Sequence, residues 1–151
     1  MKIAPELVTL TREHHISLSL SNRCINLAKT KDKVKTNALC LAISHHFETT
    51  FKSHFETEEQ TLFAPLKNKS GALKNLCEKL EKEHQQLLQM AKSLKTNPEL
   101  LLEFGNLLKT HTNAEDRELF RNIKYLSHEQ RQAIESASNK HAKASKDFFQ
   151  L

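Results

Sequence analysis

The sequence predicts an all-α fold, an up-down-up-down four-helix bundle with a short additional C-terminal helix, on three observations. Glycine and proline are scarce, 2 and 3 in 151 residues, whereas a β-sandwich or barrel needs a turn roughly every 8–12 residues. Apolar residues recur at steps of three, four and seven, the period of a helix. Breakers and capping residues cut that pattern into four long stretches and one short one. The length suits a single domain, residues 1–151, with a core of its own. The bundle is expected over about residues 3–124 and the last helix over about 127–148.

The first helix is expected from about Ile3 to Lys29, with Leu7, Leu10, Leu18 and Ile25 in phase. Thr30–Lys33 makes a corner in which Asp32 is an N-cap candidate. A second helix runs from there to about Ala64 and stops at Pro65, which has no N–H for the helical ladder. Asn68–Gly71 is the next turn. The third helix, about Ala72 to Lys95, carries Leu73, Leu76, Leu80, Leu87, Ala91 and Leu94 on one stripe. Asn97-Pro98-Glu99 reads as a helix start: an N-cap, a proline at the first helical position and an acid in the first turn. The fourth helix continues to about Lys124 through Leu101, Phe104, Leu108, Leu119 and Ile123. Ser127-His128-Glu129-Gln130 matches a capping box, with Leu126 placed as a staple, and opens the short fifth helix.

Composition excludes several functions. Two glycines cannot build a phosphate-binding loop or a dinucleotide fingerprint. No apolar run approaches the roughly 20 residues of a membrane span, and Met1–Leu10 lacks the pattern of a signal peptide, so a cytoplasmic protein is expected. The net charge of +5 invites a nucleic-acid reading. Against it, the lysines are scattered and interleaved with glutamates, and stacking aromatics are few, with no Trp and one Tyr. Neither nucleic acid nor membrane is expected as a partner. Cys24, Cys40 and Cys77 lie far apart without a CxxC and read as reduced thiols in the core or at the surface.

Function is written in the polar residues that interrupt the apolar stripes. His14 follows Leu7 and Leu10 and precedes Leu18. Helix two reads Phe47, Phe51, His54, Glu58, Leu62, and helix three reads Leu80, His84, Leu87. Helix four reads Leu108, His111, Glu115, Leu119, with His111 and Glu115 one turn apart on one face. Each long helix thus turns a histidine inward, and two add a glutamate four residues later. Buried carboxylates and imidazoles cost several kcal/mol each unless a cation pairs with them. No Lys or Arg falls in these stripes. A metal centre supplies the missing positive charge, and imidazole with carboxylate suits iron, manganese or zinc.

The order of the ligands separates this pattern from the ferritin-like carboxylate proteins, which use Glu-x-x-His pairs. It resembles the hemerythrin-like family, the HHE cation-binding domain. The segments that carry the resemblance are Arg12-Glu13-His14-His15, His54-Phe55-Glu56-Thr57-Glu58-Glu59 followed by Leu62-Phe63-Ala64-Pro65, Glu83-His84-Gln85, and His111-Thr112-Asn113-Ala114-Glu115 followed by Leu119-Phe120. They span about Leu7 to Leu126. The resemblance implies a non-haem centre of two iron ions, with manganese or zinc as alternatives. On that analogy His14, His54, His84 and His111 are terminal ligands and Glu58 and Glu115 bridge the ions. Dioxygen or another small oxidant is the implied partner.

Two departures bear on function. Oxygen carriers of the family have a His-x-x-x-His pair on helix three, whereas Leu80 and Leu88 flank His84 here. Helix four has His-x-x-x-Glu where the carriers have His-x-x-x-x-Asp. One imidazole fewer leaves a more open coordination position, so redox or peroxide chemistry, or iron and oxygen sensing, stands beside reversible oxygen carriage. A different class, a basic helical module docking an anionic partner, requires the histidines to be merely structural. No separate nucleophile or acid/base constellation marks a hydrolase.

The remaining candidates are secondary. On helix one the phase favours His14, with His15 the alternate ligand. Glu59 lies about 100° round the helix from Glu58, and is read as solvent-facing with an alternate role as an extra ligand. His45 and His46 read as solvated, His46 alternatively lining a pocket. His128 and His141 fall in the expected last helix without a partner at ligand spacing. Phe47, Phe51, Phe55 and Phe104 read as core packing.

Overall fold

The structure, a computed structural model, describes residues 3–151, and among them every regular element is helical. Five helices result. Helix α1 is Val8–Ala28, entered through a 3₁₀ turn at Pro5–Leu7. Helix α2 is Lys33–Glu58, capped by the Asp32 carboxylate, which accepts from the Lys35 N–H at 3.0 Å. Helix α3 is Gly71–Ser93, capped by the Ser70 hydroxyl. Helix α4 is Leu101–Ala114 and follows a 3₁₀ turn at Pro98–Leu100. Helix α5, His128–Ser138, opens on the expected capping box: Ser127 and Gln130 exchange hydrogen bonds of 2.9 and 3.1 Å.

Local structure departs from regular α-helix or from the sequence expectation at four places. Pro65 does not end the second helix. A π turn at Glu59–Phe63, in which the Ala64 N–H reaches the Glu59 carbonyl, widens the backbone just before the proline, and Ala64–Leu66 continues past it. A second π turn, Glu115–Leu119, extends α4, and Phe120–Tyr125 follows as a 3₁₀ stretch. Asn97 does not cap α4; its side-chain amide instead donates to the Ser93 carbonyl and to the Thr96 hydroxyl. The last helix ends at Ser138 rather than near residue 148, because after Ile134 and Ser138 no apolar residue continues its buried stripe. The chain then folds back, and a 3₁₀ turn at Lys146–Phe149 seats Phe149 in the core.

The four long helices contact one another in a closed ring: α1 against α2 and α4, and α3 against the same two. Two apolar cores share the interior. One gathers Leu20, Phe47, Phe51, Leu87 and Leu108; the other gathers Leu10, Leu62, Leu80, Leu119 and Ile134. Along α1 and α3 the chain passes from the second core to the first, and along α2 and α4 it passes back. That alternation is consistent with an up-down-up-down bundle. The histidines of all four helices fall in the layer where the cores meet.

The inward face of α1 keeps Leu10 and His14 of the expected stripe but departs from it further along the helix. Leu18 and Ile25 are half-buried, while Ser17, Ser21 and Cys24 are buried below Leu10 and His14. Small residues are needed there because α1 packs most extensively on α4. Gly105 is the point of closest approach: a Cβ on it would lie 2.7 Å from the Cys24 Cβ and 3.1 Å from the Ser21 carbonyl oxygen. Alanine at 105 must push the helices apart, which costs about 1–3 kcal/mol and outweighs the ~1 kcal/mol it gains in helix propensity. Gly105→Ala is therefore expected to lower unfolding free energy in urea, and unchanged or increased stability would mean a looser α1–α4 contact.

Candidate metal centre

Six side chains from the four long helices converge where the two cores meet: His14 from α1, His54 and Glu58 from α2, His84 from α3, His111 from α4 and Glu115 from the π turn that follows it. All six are buried. Each histidine turns its Nε2 inward onto the carboxylates. His14 lies 3.2 Å from both Glu58 and Glu115, His54 3.0 Å from Glu58, His84 3.1 Å from Glu58, and His111 3.3 Å from Glu115. Their donor atoms form two groups, His14, His54, Glu58, Glu115 and Glu58, His84, His111, Glu115, each within 4.8 Å of one another. The two glutamates belong to both.

One of these close approaches is a hydrogen bond, His14 Nε2 to Glu58 Oε2 at 3.2 Å, but the others do not join it into a network. Glu58 Oε1, both Glu115 oxygens and the Nε2 atoms of His84 and His111 are buried without a hydrogen-bond partner, although their separations are short. The atoms are near one another but misaligned for donor and acceptor. Buried polar atoms left in that state are costly. Imidazole nitrogens and carboxylate oxygens that share a small buried volume with most of these atoms unpaired form a donor set that fits a cation.

The outer ring nitrogens are fully engaged. His14 Nδ1 lies 2.7 Å from Asp116, His54 Nδ1 3.0 Å from Glu13, His84 Nδ1 2.7 Å from Glu59 and His111 Nδ1 2.9 Å from Glu83. A carboxylate can only accept, so each ring carries its N–H on Nδ1 and directs Nε2 inward; this is the outer support that metal-binding histidines use. The supports close a cycle. An acid on α1 holds the histidine of α2, one just past α2 holds that of α3, one on α3 holds that of α4, and one just past α4 holds that of α1.

The electrostatics of these side chains follow from this crowding. Burial and the charge of Glu115 push the Glu58 carboxyl up, but His54 and His14 outweigh them and hold it below the ordinary carboxylate range. Burial likewise opposes the charge of Glu115, and His111, His14 and His84 hold it well below that range. The imidazoles move the other way. Burial disfavours the cation on His14 and His84, but the surrounding carboxylates raise both well above the usual value, and the same balance raises His111 to about 9. By contrast, burial pushes the Cys24 thiol up to about 12 and Cys40 and Cys77 to about 11, so these buried cysteines stay protonated.

The π turns explain how adjacent acids serve two different rings. Each turn starts at or directly after an inward glutamate. The wider backbone lets Glu58 point in while Glu59 reaches His84, and Glu115 point in while Asp116 reaches His14. It also buries both members of Leu62-Phe63 and of Leu119-Phe120, which a regular helix would spread over about 100°. Phenylalanines wall the layer: Phe55 stacks on His84 with ring centres 4.0 Å apart, and Phe120 stacks on His14 at 5.0 Å.

Several sequence readings change here. His15 is exposed and lies outside the cluster, lining instead a surface cleft with Arg12, Lys143 and Lys146. Glu59 is neither an inner donor nor free in solvent; at one-third exposure it holds His84. Asp116 does stand five residues after His111, but its carboxylate is on His14 Nδ1, outside the inner set. His46 stacks on Phe148 at 4.5 Å. His141 lies beyond the last helix, where it meets Glu13 and Thr57. Glu13, Glu83 and Asp116 gained no role from the sequence, although a signal was present: an acid stands directly beside His14, Glu58, His84 and Glu115.

Residues 7–120 match the hemerythrin HHE cation binding domain, three quarters of the chain, with the clustered histidines and glutamates inside the match. The chain belongs to that family. No curated protein and no solved structure matches the chain closely enough to narrow the assignment. No helix among the described residues is long and apolar enough to cross a membrane.

The pKa directions set the stability of the metal-free protein. Carboxylates held below 4.5 contribute fully above that pH, and the contribution is lost as pH falls through their folded values. Imidazoles raised above 6.5 contribute fully below that pH, and their contribution is lost as pH rises through the folded values, about 9 for His111. Calorimetry in the presence of a chelator should find the highest melting temperature between pH 4.5 and 6.5 and a decline from there toward pH 9. A melting temperature still rising above pH 7 would contradict this charge balance.

Proposed function

We propose that this chain is a hemerythrin-like non-haem di-iron protein, an up-down-up-down bundle that binds iron together with oxygen or a related small oxidant. The supporting observation is the pair of donor groups that share Glu58 and Glu115. In this reading His14 and His54 would hold one ion and His84 and His111 the other, with Glu58 and Glu115 offering oxygens to both. Charge supports two divalent ions: all four imidazoles are shifted toward the protonated form, and fully protonated they would carry the same charge as two such cations. Metal uptake thus exchanges protons for ions without adding charge to the core. Manganese or zinc suits the same donors.

When bound, an iron pair supplies reversible electron transfer and open positions for a small ligand. The chain's own residues do the rest. Glu13, Glu59, Glu83 and Asp116 fix the tautomer and the orientation of the four rings. Phe55, Phe63 and Phe120 press on His84 and His14 and exclude water, which strengthens every electrostatic interaction inside. The two apolar cores hold the helices at a fixed spacing, so the inner donors need little rearrangement to take an ion.

A second reading is an oxidoreductase turning over peroxide, nitric oxide or Fe(II) at the same centre. Each group offers two histidines and the shared carboxylates, close to the two-histidine, one-carboxylate set that leaves iron positions open for chemistry. A protein of the cytoplasm, independent of nucleic acid and membrane, fits both readings.

Elemental analysis after anaerobic Fe(II) loading is expected to find two irons per chain, with oxo-bridge absorption after exposure to air. Glu58→Ala and Glu115→Ala should each abolish most of that uptake and also the rise in melting temperature that metal confers. Glu59→Ala should keep the ions but bind them about 10–100-fold more weakly. Absence of uptake by the unaltered chain would refute the proposal, and steady turnover of peroxide or Fe(II) would favour the oxidoreductase.

A further inference from the structure

Beyond residue 120 the chain lies outside the family match, yet it returns to the cluster. After α5 ends at Ser138, His141 turns inward, and its side chain is only 4% exposed. Its Nδ1 lies 3.1 Å from both oxygens of Glu13, and its Nε2 lies 2.7 Å from the Thr57 hydroxyl. Because the carboxylate accepts, His141 donates through Nδ1, and Nε2 accepts from Thr57. Glu13 Oε1 also takes the Nδ1–H of His54 at 3.0 Å. The same returning segment is anchored elsewhere by Phe149 in the core and by Phe148 on His46.

This makes the support of His54 unlike the other three. Glu59, Glu83 and Asp116 each receive one ring N–H, whereas Glu13 receives two, one of them from the C-terminal segment. Glu13 is also the most deeply buried of the four, at 3% against 13% for Glu83, 33% for Glu59 and 34% for Asp116. A carboxylate with so little water needs protein donors to keep its place. Glu13 has two oxygens to satisfy, and His54 reaches only one of them.

We propose that His141 is a positioning residue for the half of the site built by His14 and His54. It clamps Glu13 so that Glu13 can orient His54, which makes the C-terminal segment part of the metal centre. The inference rests on the metal-binding reading above, and it adds an asymmetry: one ion position depends on residues 139–151, while the His84 and His111 position does not.

The test is a stepwise anaerobic titration of the full chain with Zn(II), a redox-silent probe, followed by calorimetry. Two binding steps are expected for the unaltered chain. His141→Leu should weaken one step by about 10–100-fold and leave the other unchanged, and the weakened step should be the one that His54→Ala removes and His111→Ala keeps. His141→Gln, whose amide can still donate to Glu13, should recover most of the loss. Thr57→Val, which frees only the outer nitrogen of His141, should weaken the same step by less and serves if His141→Leu does not fold. Equal weakening of both steps, or a lower melting temperature with both steps intact, would reduce His141 to a structural anchor and overturn the proposal. A chain that takes up no zinc at all would instead overturn the metal reading and this inference with it.

Discussion

Two carboxylates, Glu58 and Glu115, sit fully buried at the junction of two apolar cores with no lysine or arginine paired to them among the described residues, and the rest of the interior is organised around that charge. Four imidazoles, one from each long helix, are the cationic groups near enough to balance it. Apart from His14 Nε2 on Glu58, their inner nitrogens crowd the carboxylate oxygens without aligning for hydrogen bonds, and five of these inner atoms are left without a partner. A hydrophobic core would be more stable in the same place. What the arrangement provides is a preformed set of donors whose positions are fixed before any ion arrives.

The outer acids make that possible. Each helix, or the turn directly after it, contributes the carboxylate that fixes the histidine of the next one, and the cycle closes from the end of α4 back to α1. Displacing any one helix disturbs its own ring and also its neighbour's. The bundle and the site are therefore one mechanical unit. Packing elsewhere serves the same spacing: Gly105, Ser21 and Cys24 let α1 and α4 approach closely, and the two π turns supply the extra backbone width that lets adjacent acids face different rings.

Membership of the hemerythrin HHE cation binding domain family agrees with a polar layer of this kind. Within that frame the chain's particular features are the paired His-x-x-x-Glu segments, Leu80 and Leu88 on either side of His84, and phenylalanines stacked on two of the four rings. The C-terminal segment, outside the matched residues, adds a further constraint on one side of the layer through His141.

The sequence by itself determined the helical class, most helix starts and the burial of six of the polar residues, the four histidines with Glu58 and Glu115, because burial follows a period of 3.6 residues and a polar residue in an apolar stripe stands out. Asp32, Ser127 and Gln130 were legible as caps for an equally local reason. Tertiary structure alone decided the rest. The inward face of α1 is marked by Ser17, Ser21 and Cys24, and their burial depends on how near α4 can come. Glu13, Glu59, Glu83 and Asp116 sit just off the inward stripe, where no periodicity distinguishes a carboxylate in solvent from one holding a ring across the bundle. His141 lies beyond the last helix, 128 residues from its partner Glu13 in the chain, and only the folded backbone brings the two together.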